Sequence, residues 1–136
     1  MIVRQLDDHT WVCGQVAPEE IAVLADQGVT MLVNNRPDGE DPLQPRGCDI
    51  ERAAQAARIA YRFVPVRYGI GPSEIEGMRE AVRAAADGKL LAFCRSGTRS
   101  ALTWALAKRA EGAASEQVVK QVSDAGFDPA PIVHLL

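Results

Sequence analysis

The sequence predicts an α/β fold with a mainly parallel central sheet and helices on both faces. Three observations carry this expectation. Short apolar runs at residues 29–33, 61–66 and 89–93 alternate with longer stretches of helical periodicity. The run at 29–33 is β-branched and apolar without alternation, as befits a strand covered on both sides. No repeat, low-complexity tract or linker divides the 136 residues, so a single domain, 1–136, is expected, with a core that needs no metal or disulfide.

Residues 10–15 (Thr-Trp-Val-Cys-Gly-Gln) read as the first strand and 18–27 as a helix. Pro18 near its start and Gly28 just past its end supply the punctuation. The strand at 29–33 feeds a long polar loop, Asn34-Asn35-Arg36-Pro37-Asp38-Gly39-Glu40 and onward to Gly47. Loops of this length in compact domains are often functional. An Ala-rich helix follows at 49–59, then a strand at 61–66 that Pro65 weakens. Ser73 and Glu76 have the spacing of a capping box, and Ile75, Met78, Val82 and Ala85 recur at helical intervals, which predicts a helix over 73–86. The central strand falls at 89–93 and the next helix at 100–110. Ser115 caps a last helix reaching Ala125, closed by Gly126 and followed by an extended tail.

Fifteen Lys and Arg stand against 18 Asp and Glu, a net charge of −3, with no polybasic segment. This argues against nucleic acid or anionic lipid as a partner. Apolar runs are broken within a few residues and residues 1–8 lack the apolar region of a signal peptide, so a cytoplasmic, non-membrane protein is expected. Cys13, Cys48 and Cys94 are odd in number and widely spaced, with no Cys-x-x-Cys pair, which argues against a disulfide framework and a zinc site. His9 and His134 stand alone near the ends, and no metal or cofactor is expected.

Chemistry concentrates where the 89–93 strand stops at Cys94-Arg95-Ser96-Gly97-Thr98-Arg99-Ser100. A strand that ends in Cys and turns tightly into a helix aims loop N–H groups and a helix N-terminus at the sulfur. Such an environment, with a neighbouring Arg, favours thiolate over thiol. Cys94 therefore reads as a nucleophile, its sulfur expected among the N–H groups of residues 95–100. Arg95 and Arg99 would orient an anionic substrate on the Ser96, Gly97 and Thr98 turn, and Ser100 would donate a hydrogen bond to the thiolate. In sheets of this kind ligands bind beyond the carboxyl ends of the strands, where the Asn34–Glu40 loop also lies.

The Cys94–Ser100 segment resembles the active-site loop of rhodanese-type sulfurtransferases and, more distantly, the signature loop of tyrosine and dual-specificity phosphatases. Taken with residues 11–15 and 33–40, it resembles the phosphatase-like domain family of beta-lactamase hydrolase-like proteins, over roughly residues 4–112. The resemblance implies a cysteine-phosphatase-like (dual-specificity phosphatase-like) fold, cysteine chemistry, and a site role for Arg36 and Asp38. It also suggests a thiol acceptor or sulfur-oxidising hydrolase as pathway company.

The loop departs from the phosphatase pattern. Four residues separate Cys94 from Arg99 where phosphatases have five, Phe93 replaces the usual His, and residues 67–72 hold no general-acid Asp. Asp38, Glu40 and Asp41 are the acids that remain if their loop folds over the site. Sulfur transfer asks less of the site. Cys94 would attack the outer sulfur of thiosulfate or a persulfide, hold it as a Cys94 persulfide, and pass it to a thiol or other nucleophile. A rhodanese-like sulfurtransferase is thus the first expectation. Phosphate-ester hydrolysis through a Cys94 thiophosphate is the alternative, and an oxyanion-binding or redox-sensing module without turnover is the second.

Overall fold

Parallel pairing dominates the sheet of the computed structural model, which describes residues 1–136. Strands β1 (Val3–Asp7), β2 (Thr10–Cys13), β3 (Val29–Asn34), β4 (Ala60–Phe63) and β5 (Lys89–Phe93) lie in the order β1-β2-β5-β3-β4. Only β1 and β2 are antiparallel. Helices α1 (Ile21–Asp26), α2 (Gly47–Ala56), α3 (Pro72–Ala85), α4 (Thr98–Ala110) and α5 (Ser115–Asp124) complete the chain, with 3-10 turns at Pro18–Glu20 and Ala130–Leu135.

Side-chain alternation along the strands divides the core into two apolar layers. Met31, Val33, Leu90 and Ala92 face α3, α4 and α5, where Met78, Trp104 and Val118 pack. Leu32, Leu91 and Phe93 face α1 and α2, where Ile21, Leu24 and Ile50 pack. Helices therefore cover both faces, as the non-alternating strands require. β5 is flanked by β2 and β3, so its C-terminal end opens at the middle of the sheet's edge. No helix is long and apolar enough to cross a membrane.

Several elements depart from the sequence expectation. β1 is an additional strand; of its five residues only Leu6 is buried, so a polar edge strand carries little periodic signal. The 18–27 helix is split into the 3-10 turn and α1. β4 ends at Phe63, two residues before Pro65, which has no N–H to donate. α3 starts one residue earlier than expected, and its capping carboxylate is that of Glu74, which accepts the Gly71 N–H at 2.9 Å. Pro72 at the first helical position fixes that register. Glu76 instead pairs with Arg83 at 2.9 Å. Ser115 opens α5 without capping it through its side chain, and the tail coils as 3-10 instead of extending.

Candidate active site

The turn from β5 into α4 builds the site. Cys94 follows the last residue of β5 and is buried, and Gly97 adopts φ +94°, a conformation that favours glycine. This kink points the Gly97 N–H at Cys94 Sγ, 3.1 Å away. The loop also lies hard against the end of β2. A Cβ at Gly14 would come within 2.9 Å of the Arg95 carbonyl oxygen, so any side chain there would push the loop outward. The N–H groups of Arg95, Ser96, Arg99 and Ser100 have no acceptor within the chain. With the N-terminal dipole of the 13-residue α4 behind them, these unpaired donors are available to an anion. Gly97 alone of the expected ring bonds the sulfur itself.

Arg99 is held by three hydrogen bonds that leave one edge of its guanidinium free. Its Nη1 donates to Glu40 Oε2 at 2.8 Å and to the Val66 carbonyl at 2.9 Å, and its Nη2 donates to Glu40 Oε1 at 2.9 Å. A guanidinium has five N–H donors in a rigid fork. The Nε hydrogen and one Nη2 hydrogen remain, and they form the two-pronged edge that matches two oxygens of an oxyanion. Arg99 also lies close to Cys94, though Glu40 is its main electrostatic partner.

A second layer fixes Glu40 and Val66. Arg36, 5% exposed, donates to Glu40 at 3.1 Å and to Gln15 Oε1 at 2.9 Å. Asn35 ties three segments together: its N–H donates to the Phe93 carbonyl at 2.8 Å, its carbonyl accepts the Val66 N–H at 2.9 Å, and its side-chain amide donates to the Val64 carbonyl at 2.8 Å. The carbonyl that steadies Arg99 is thus anchored to the strand end that presents Cys94.

The structure brings Cys94, Arg95, Ser96, Gly97, Thr98, Arg99, Ser100 and Arg36 together at this end of the sheet. Arg95 and Ser96 are exposed, and Ser96 and Thr98 share a hydroxyl hydrogen bond of 3.1 Å. Ser100, expected to donate to the sulfur, is fully buried with no partner for its Oγ. Asp38 is turned away from the catalytic task expected of it. Its Oδ1 accepts the Gly47 N–H at 2.8 Å, where a carboxylate satisfies an otherwise unpaired donor at the start of α2. Sequence reasoning missed the supporting roles of Gln15, Asn35, Val66 and Gly14. Only the four-residue interval from Arg36 to Glu40 offered a local hint of pairing.

Electrostatics move the Cys13 thiol and the Glu40 carboxyl far from their ordinary values. Burial first, then the nearby Glu20 and Cys94, pushes the Cys13 thiol up to about 12, so it stays protonated at neutral pH. The hydrogen bonds from Arg99 hold the Glu40 carboxyl at about 2, well below its ordinary 4.5, against a smaller opposing effect of burial. A carboxyl depressed on folding contributes stability above its unfolded value and loses it as pH falls through the folded value. Stability should therefore decline between pH 4.5 and 2 and stay insensitive to Glu40 from pH 5 to 9. Glu40→Gln should flatten that acid limb in pH-dependent thermal melts; an unchanged limb would rule out the Arg99 pairing as its source.

A mainly parallel sheet covered by helices on both faces, with a cysteine at the end of its central strand and a tethered Arg on the following turn, has the architecture of a cysteine-phosphatase-like domain. Solved structures agree. A phosphatase candidate from Neisseria meningitidis superposes with a TM-score of 0.80 at 27% identity, over 97% of this chain and 94% of that one. Kinase associated phosphatase superposes with a TM-score of 0.72 at 16% identity, over 91% of this chain and 82% of that one, a likeness of fold. Residues 3–111 match the phosphatase-like domain of beta-lactamase hydrolase-like proteins, and the chain belongs to that family. The beta-lactamase hydrolase-like protein of Xylella fastidiosa is 33% identical over 130 residues, which are 94% of this chain and 30% of that protein. The chain thus spans less than a third of the length of the curated relatives it matches. Sulfur transfer, the first activity expected from the loop, finds no support among these proteins; they favour the phosphatase alternative.

Proposed function

We propose that this domain hydrolyses phosphate monoesters of small anionic substrates through a Cys94 thiophosphate. The observation that supports the reading is that the turn carrying Cys94 bonds the sulfur through the Gly97 N–H and leaves four further N–H groups and one edge of the Arg99 guanidinium without an acceptor. Three phosphoryl oxygens carry the charge in such a transfer, and fixed donors aimed at them are the usual source of catalysis.

Cys94 Sγ attacks phosphorus, the S–P bond forms, and the P–O bond to the leaving group breaks with its electron pair on oxygen. Water then attacks phosphorus, the S–P bond breaks, and Cys94 leaves as thiolate with inorganic phosphate released. Arg99 and the loop N–H groups hold the phosphoryl oxygens in both steps, and Arg95, exposed at the rim, attracts the anion. Arg36 acts at one remove by fixing Glu40.

The test compares wild type and Cys94→Ser on an aryl phosphate, with thiosulfate plus cyanide in a parallel vessel and intact mass recorded. Phosphate release by wild type alone is expected, at least about 10³-fold above the variant, as for loss of a nucleophile. Thiocyanate formation with a gain of one sulfur on wild type, and no phosphate released, would return the domain to sulfur transfer. Inorganic phosphate binding without turnover of either substrate would make it an oxyanion-binding module.

A further inference from the structure

The three carboxylates of the loop that carries Glu40 already serve other groups. Glu40 bridges Arg99 and Arg36, with contacts of 2.8, 2.9 and 3.1 Å. Asp38 Oδ1 accepts the Gly47 N–H at 2.8 Å, and Asp41 Oδ1 accepts the Leu43 N–H at 3.0 Å within its own loop turn. Residues 64–71, which reach Arg99 through Val66, read Val-Pro-Val-Arg-Tyr-Gly-Ile-Gly and contain neither a carboxylic acid nor a histidine. His9 lies at the opposite end of β5, where its carbonyl accepts the Leu90 N–H at 2.8 Å, and His134 sits in the C-terminal 3-10 turn.

From this arrangement we infer that the site acts on esters whose leaving oxygen departs without a proton from the protein, which selects aryl phosphates over alkyl phosphates. The inference rests on the phosphatase reading and narrows its substrate class. A positioned general acid contributes on the order of 10² to 10⁴ in rate when the leaving group is an alkoxide. Phenols ionise near 10, far below alcohols, so a phenolate carries the electron pair of the broken P–O bond and takes its proton from water afterwards. Tyr68, 96% exposed two residues beyond Val66, puts an aromatic ring on the segment that holds Arg99.

The experiment measures kcat/KM at pH 7 for substituted phenyl phosphates of graded phenol acidity and for one primary alkyl phosphate. Wild type, Cys94→Ser, Asp41→Asn and Tyr68→Phe are compared. A rise of at least about 100-fold from the alkyl ester to the most acidic phenol is expected, lost in Cys94→Ser and unchanged in Asp41→Asn. Rates within tenfold across the series would overturn the inference and leave the phosphatase reading standing. A loss of more than tenfold confined to the poorest leaving groups in Asp41→Asn or Tyr68→Phe would overturn it too, by revealing a proton donor. If no ester releases phosphate in a Cys94-dependent way, the phosphatase reading fails and takes the inference with it.

Discussion

Arg99→Lys is expected to lower kcat/KM for an aryl phosphate by about 10² to 10³-fold, the usual consequence of removing a donor aimed at developing charge. A lysine keeps the positive charge but is a point donor on a flexible stem. It cannot hold Glu40 through two parallel bonds and Val66 through a third while offering two more hydrogens to an oxyanion. Because the lost contact belongs to the phosphoryl group in the transition state, kcat should fall along with kcat/KM. The melting temperature should move by only a few degrees, since Arg99 and Glu40 are both partly solvent-exposed. A variant retaining more than a tenth of wild-type kcat/KM would show that the loop N–H groups, and not Arg99, bear the phosphoryl charge.

Trp104→Ala is expected to have the largest effect on stability, about 3–5 kcal/mol. Trp104 is completely buried in α4 within the cluster that includes Met78, Leu90, Ala92 and Val118, so truncation leaves a cavity lined by the sheet and neighbouring helices. Its indole N–H has no acceptor, so no hydrogen bond offsets or adds to the loss of packing. A fall in melting temperature on the order of 10 °C should follow for a domain of this size. Trp104→Phe, which keeps most of the ring, should fall much less. Equal falls in the two variants would show that the cost lies in the indole's shape and not in buried volume. Because α4 begins at the turn that carries Cys94, urea titrations followed by activity and by far-ultraviolet circular dichroism should coincide.

The layered α/β class, the central strand and the cysteine at its end were legible in the sequence for one reason: each is a local pattern. A continuous apolar run marks a strand covered on both faces. An abrupt stop at Cys94 before a Gly-containing polar turn marks an N–H-lined bend into a helix. β1 escaped because an edge strand with one buried residue has almost no pattern to read, and the cap of α3 was misplaced because Ser73-x-x-Glu76 and Gly71-Pro72-x-Glu74 compete within one turn.

The sequence by itself determined which residues line the turn after β5, and hence that a cysteine, a glycine whose N–H meets it and an arginine share one turn. Only the tertiary structure decided what the carboxylates do. Glu40 reaches Arg99 across 59 positions of sequence, Arg36 reaches Gln15 across 21, and Asp38 reaches Gly47 across nine. Such partners are chosen by where the loop closes over the sheet, and a charged side chain in a polar loop has many satisfactory partners before the chain is folded. Asp38 thus reads in the sequence as an acid and folds as the acceptor of the first N–H of α2, while Glu40 becomes the clamp that holds Arg99.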